Sequence, residues 1–121
     1  MTDANADDEI GHIVIDGHAW PIVIDRASGR FEVRVGDHVA FMTFHQHGSV
    51  LSLIHTESPP ELRGHGVAQS LVEAVLVYAR DRAMTIKPYC PFVTGYLRRH
   101  AGYQQLVDPG FAAVDATRSG E

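Results

Sequence analysis

The chain's pattern predicts a mixed α/β domain, in which an antiparallel meander runs into a strand–helix–strand–helix unit. Three observations predict it. In "RFEVRVG" apolar and polar residues alternate, so Phe31, Val33 and Val35 face one way and Glu32 and Arg34 the other. After Gly66 the period lengthens: Val67, Ala68, Leu71, Val72, Val75, Leu76 and Ala79 recur at helical spacing, with Gln69, Ser70, Glu73 and Arg80 mostly on the other face. Then "MTIKPYC" reads as a strand ending at Cys90, and "PFVTGYLRRH" as a shorter helix with Pro91 in its first turn.

Taken in order, residues 1–20 are expected to form a flexible acidic segment, since the start "MTDANADDEI" is polar and acidic. "HIVID" and "PIVID", separated by "GHAW", nonetheless read as short β-like pieces. The domain itself is expected over 21–107. Gly36–Asp37 turns the chain from the strand at 30–36 into "HVAFMTFHQ", and "HGS" turns it again into "VLSLIHTES". The helix is expected over 67–82 and the next strand over 84–90. "DPG" from Asp108 opens a tail over 108–121, with Phe111 against the body.

The 121 residues suffice for one domain and not for two. A 45% hydrophobic share can fill its core. Ten basic against fifteen acidic residues give a net charge of −5, which argues against a nucleic-acid binder. One cysteine, Cys90, permits no internal disulfide and fits a reducing compartment. No stretch has signal-peptide or transmembrane character, so a cytoplasmic protein with no membrane partner is expected. Strand edges over 31–46 would permit pairing, hence a monomer or a weak homodimer. His45 and His47 share a strand face, but no further ligands complete a zinc site and no metal is expected.

The chemistry concentrates at "PPELRGHGVAQSL", where two glycines precede the longer helix. The first N–H groups of a helix lack internal partners and its dipole is positive there, so a phosphate satisfies both. Gly64 and Gly66 leave room for a ligand to approach the backbone, and Arg63 and His65 either add charge or point to solvent. A Walker loop needs Gly-Lys-Ser/Thr, yet Val67 follows Gly66; a Rossmann loop needs a third glycine, yet Gln69 stands there. What remains is Arg-x-x-Gly-x-Ala, carried by Arg63, Gly66 and Ala68. His55 and Glu57, two residues apart on a strand, share a face. They form either a structural hydrogen bond or a general base within reach of an ammonium substrate.

Arg-x-x-Gly-x-Ala is the pyrophosphate signature of the GNAT N-acetyltransferases. The chain resembles that superfamily across roughly residues 30–107. "HTESPPELRGHGVA…CPFVTGYLRRH" is similar to the small, single-domain GNAT-like branch called YjdJ-type. The resemblance implies a GNAT-like fold that binds acetyl-coenzyme A as cosubstrate between two splayed parallel strands. It implies transfer of acetyl to an unidentified amine of a small molecule or a protein; the alternative is a non-catalytic module that holds coenzyme A or an acyl-coenzyme A.

By that resemblance the pyrophosphate would rest on the amides of Arg63, Gly64, His65, Gly66, Val67 and Ala68. The pantetheine arm would pair with Ile54, His55 and Thr56 like an added strand. Tyr96 would protonate the departing thiolate, or else is a core residue. Cys90, at a strand end and a helix start, would accept acetyl, form a mixed disulfide or line the cavity. Arg99 either reaches the adenosine phosphate or is a solvated surface cation. The chain lacks the additional helices that larger members carry before the central strands, so the acceptor side is expected to be open or completed by another chain.

Overall fold

The computed structural model describes residues 8–111. Six strands form one sheet in chain order: β1 (Glu9–Ile15), β2 (His18–Asp25), β3 (Arg30–Val35), β4 (His38–His47), β5 (Val50–Glu57) and β6 (Thr85–Pro88). Neighbours from β1 to β5 are antiparallel, and β6 lies parallel to β5. Helix α1 (Val67–Asp81) connects β5 to β6, and α2 (Pro91–Arg99) follows β6. Short 3-10 helices occupy Pro60–Leu62 and Ala101–Leu106. The mixed α/β architecture and its meander are therefore present, with the helices ending within a residue of expectation.

The expected flexible segment over 1–20 is corrected where it is described. Glu9–Ile15 is a full sheet strand, in register with β2 from Glu9↔Val23 to Ile15↔His18. The reason lies in the turn: Asp16 (φ 52°) and Gly17 (φ 83°) are both left-handed, the geometry of a two-residue hairpin whose twist matches its strands. That places His18–Trp20 inside β2, and the sheet buries Ile13 and Ile15. At Gly11 an added Cβ would lie 3.3 Å from the Ala74 Cβ, so α1 crosses β1 at close range. Residues 1–7, and the tail beyond 111, lie outside the described residues. Phe111 itself meets the Tyr89 ring edge-on at 5.1 Å.

Alternation decides the two faces of the sheet. Ile22, Ile24, Phe31, Val33, Ala40, Met42, Leu51, Leu53 and Ile86 point to one side and are buried under Leu71, Val72, Val75, Leu76 and Ala79 of α1. The other side carries Glu32, Arg34, Phe41, Thr43, His55 and Glu57, which range from half-buried to exposed. Among the described residues no helix covers that face.

Candidate functional site

Strands β5 and β6 pair from Val50↔Thr85 to Leu53↔Pro88 and then part. After Pro88 the Tyr89 N–H turns back to the Lys87 carbonyl, 3.0 Å, and no longer donates across to β5. The last link is a hydrogen bond from the Cys90 N–H to the Leu53 carbonyl, 3.0 Å. Beyond this fork β5 runs on through Ile54–Glu57 with β4 as its only strand neighbour among the described residues. The parallel pair expected from the sequence is thus present, and its ladder ends there.

Register within β5 changes at the same point. Thr43 faces His55 but Phe44 faces Leu53, so Ile54 is an inserted residue, a β-bulge. Strict alternation from Leu51 and Leu53 would place His55 and Glu57 in the core. One inserted residue reverses the faces. His55 and Glu57 therefore emerge on the open face, Nε2 to Oε1 3.7 Å apart, with side chains about 60% exposed. Thr56 turns inward opposite buried Met42, and its Oγ1 lies 3.3 Å from the Cys90 Sγ. Thr56 and Cys90, from opposite arms, meet across the fork. Cys90 is buried and begins α2, accepting hydrogen bonds from the Val93 and Thr94 amides on its carbonyl.

The glycine turn closes the same end of the sheet. Leu62, buried, anchors the 3-10 helix, and His38 Nδ1 approaches Glu61 Oε1 at 3.9 Å. Gly64 (φ 86°) and Gly66 (φ 68°) are left-handed, a conformation that disfavours any side chain. An added Cβ at either would meet nothing within 4 Å, so the space over the turn is free. Gly66 caps α1 without a side-chain bond, and the first turn of α1 holds no acidic residue. Its leading N–H groups thus face a hollow of about 270 Å³ lined by Ser58, Arg63, Gly64, Ala68 and, from the first turn of α2, Phe92. Both helices follow parallel strands, so their positive ends converge here.

Tyr96 and Arg99 lie further along α2. Tyr96 is buried, stacked on His100 at 3.9 Å, and its phenol is raised above the ordinary tyrosine value of about 10. Desolvation is the main cause; the Glu73 carboxylate of α1 and Tyr103 add to it, and Arg99 opposes it. Arg99 sits in the last turn, its guanidinium folded back near Gly95. The structure thus brings Ile54, His55, Glu57, Thr56 and Cys90 together at the fork and Arg63–Ala68 beside it, while Tyr96 faces Glu73 and Arg99 stands about eight residues, roughly 12 Å of helix, from Pro91. The alternation alone did not show the bulge; no residue type in "SLIHTE" announces it.

A larger hollow of about 710 Å³ lies over β2 and β3 on the open face, lined by Asp25, Arg26, Glu32 and Arg34. It borders neither the fork nor the glycine turn. Among the described residues no three His, Cys, Asp or Glu side chains gather as metal ligands, and no helix is long and apolar enough to cross a membrane.

A mixed sheet whose parallel ladder ends beside an open, glycine-capped helix start defines an α/β domain with uncapped backbone donors at one end of its sheet. A family model described as GCN5-related N-acetyl-transferase matches residues 30–106, from the first residue of β3 to the end of the last 3-10 helix. With more than half of its length matched, the chain belongs to the GCN5-related N-acetyltransferase family. The β1–β2 hairpin lies outside the match.

Proposed function

We propose that the protein binds acetyl-coenzyme A in the fork and transfers its acetyl group to a primary amine. The observation that carries this reading is the coincidence, at one end of the sheet, of an unpaired β5 edge and an open α1 N-terminus. A pyrophosphate fits the amides over Gly64–Ala68, with Arg63 and His65 adding charge. A pantetheine arm, rich in amides, fits the free edge of Ile54–Thr56 as an added strand. The thioester then lies near Thr56 and Cys90.

In this reading the acceptor ammonium gives a proton to His55 or Glu57, directly or through water. The free amine attacks the acetyl carbonyl carbon, and amides of the outer β5 segment stabilise the oxyanion. The C–S bond breaks as the amide forms, and the thiolate takes a proton from solvent water; Tyr96, packed on His100 and Tyr103 away from the fork, does not supply it. Proton loss from the ammonium and proton gain by the thiolate balance. A two-step route through Cys90 would pass through a thioester on Sγ and is separable by mutation.

One observation favours the alternative of a coenzyme-binding module without turnover. His55 and Glu57 are solvated on an uncovered face rather than held in a dry pocket. Calorimetric titration with acetyl-coenzyme A, with NAD and ADP as controls, tests binding. Saturable binding of acetyl-coenzyme A, weakened on the order of 100-fold in Gly66→Val, is expected, because the substitution both strains a left-handed position and fills the phosphate space. Absence of binding in the unaltered protein rejects both readings. Rates for a His55→Ala, Glu57→Gln double variant then separate them: an enzyme loses rate while keeping affinity, and Cys90→Ala lowers the rate only if the two-step route operates.

A further inference from the structure

Of the four large apolar side chains that are exposed among the described residues, three surround the fork: Ile54 at 45%, Tyr89 at 55% and Phe92 at 40%. Phe92 belongs to the glycine-turn hollow on the helix side. Ile54 and Tyr89 are different. They are the residues immediately after the last parallel pair, Leu53↔Pro88, whose side chains are buried on the helix side. Both are exposed beside residues buried on the helix side, Leu53 before Ile54 and Pro88 and Cys90 about Tyr89, so each turns away from the helices, one on each arm of the fork.

Their surroundings on the open face are mixed in a particular way. His55 and Glu57 follow Ile54 directly, and the half-buried Phe41 ring lies edge-on to His55 at 6.5 Å between centroids. Phe41 is backed by the Arg30 guanidinium, 4.3 Å from its centroid, and Arg30 is in turn neutralised by Glu32. The Glu57 carboxylate has only the ionisable His55 as its ion-pair partner among the described residues. Phe111 braces the Tyr89 ring edge-on. An apolar lip on both arms, with a carboxylate and an imidazole just beyond it, complements a molecule with one ammonium and an apolar body.

We propose that the acceptor is a small amine with an aromatic or long aliphatic body, entering from the open face so that Ile54 and Tyr89 grip the body and Glu57 meets the ammonium. This rests on the acetyltransferase reading above and names its substrate class. Tyr89 is then a specificity-determining residue, and it takes no part in holding the coenzyme. Polyamines and hydroxylated amines, which would leave charged or hydroxyl groups against the apolar lip, are poor acceptors.

The test compares 2-phenylethylamine, hexylamine, ethanolamine and spermidine as acceptors for the full chain, following release of the coenzyme A thiol. The expected order puts phenylethylamine and hexylamine at least about tenfold above ethanolamine and spermidine in kcat/KM. Tyr89→Ser should raise KM for phenylethylamine roughly tenfold with little change in kcat, Tyr89→Phe should restore it, and acetyl-coenzyme A affinity should stay within about twofold throughout. In parallel, phenylethylamine titrated into protein saturated with coenzyme A should bind saturably, and Tyr89→Ser should weaken it. Equal or better use of ethanolamine or spermidine overturns the proposal while leaving the acetyltransferase reading intact. So does a missing phenylethylamine isotherm on the coenzyme A complex, or a sedimenting dimer that Tyr89→Ser dissociates, since a second copy would then cover the lip. Failure of acetyl-coenzyme A itself to bind removes the earlier reading and this one with it.

Discussion

The two halves of β5 are built from similar residues and do different things. Val50–Leu53 lies between β4 and β6, and Leu51 and Leu53 are fully buried. Ile54–Glu57 has a strand on one side only, carries the bulge, and leaves Ile54, His55 and Glu57 exposed. What separates them is the end of β6 at Pro88, together with one inserted residue. Where the neighbour strand stops, the same backbone changes from a structural ladder into an edge with free donors and acceptors. Pairing that edge with a ligand leaves the fold unchanged. The inner half holds the sheet together, and the outer half faces the chemistry.

The comparison breaks most completely when the bulge is removed. Inserting one residue between Thr43 and Phe44 gives Ile54 a partner, restores strict alternation and drives His55 and Glu57 toward the face of Leu51 and Leu53, or forces the sheet to slip. Either outcome should destabilise the protein by roughly 3 kcal/mol or more, measured as a fall in the urea midpoint, because charged or polar groups would replace packed apolar ones. The next effect is a contrast. Leu53→Ala should cost about 2–5 kcal/mol, since it opens a cavity in a packed layer. Ile54→Ala, one residue along, should cost less than about 1 kcal/mol, since its side chain is nearly half exposed.

The smallest effect lies away from the fork, at Tyr96. Its folded phenol titrates above about 10, so the unfolded chain sheds that proton first. The contribution to stability is complete below about pH 10 and is lost as pH rises through the raised folded value. Urea midpoints measured from pH 9 to 11 should fall for the unaltered protein, and the decline should be shallower in Tyr96→Phe.

Much of this was readable from residue order. Alternation in "RFEVRVG" fixed which side of β3 is buried, and the spacing from Val67 to Ala79 fixed the packed face of α1. Arg63, Gly66 and Ala68 marked the loop that the structure opens over the start of α1. The first strand was harder, because an acidic opening masked it and its membership depends on contacts made far along the chain, at Ala74 and Val23. The Asp16–Gly17 turn was the available signal for that hairpin. The bulge at Ile54 had none. It arises where β4 pairing continues and β6 pairing ends, a condition set by two other strands. The environment of Tyr96 likewise depends on Glu73 and Tyr103, residues brought together only by the packing of α1, α2 and the final 3-10 helix.

The central claim is that the outer half of β5 is a ligand-pairing edge. Amide hydrogen exchange, resolved along β5 with and without acetyl-coenzyme A, tests it most directly. In the free protein, amides of Leu51–Leu53 should be strongly protected, and those of Ile54–Glu57 that face the missing neighbour should exchange quickly. Added acetyl-coenzyme A should slow exchange in the outer half and at Gly64–Ala68, leaving the inner half unchanged. If acetyl-coenzyme A binds yet protection appears elsewhere and the outer half still exchanges freely, the division of β5 into a structural and a ligand-pairing half is wrong.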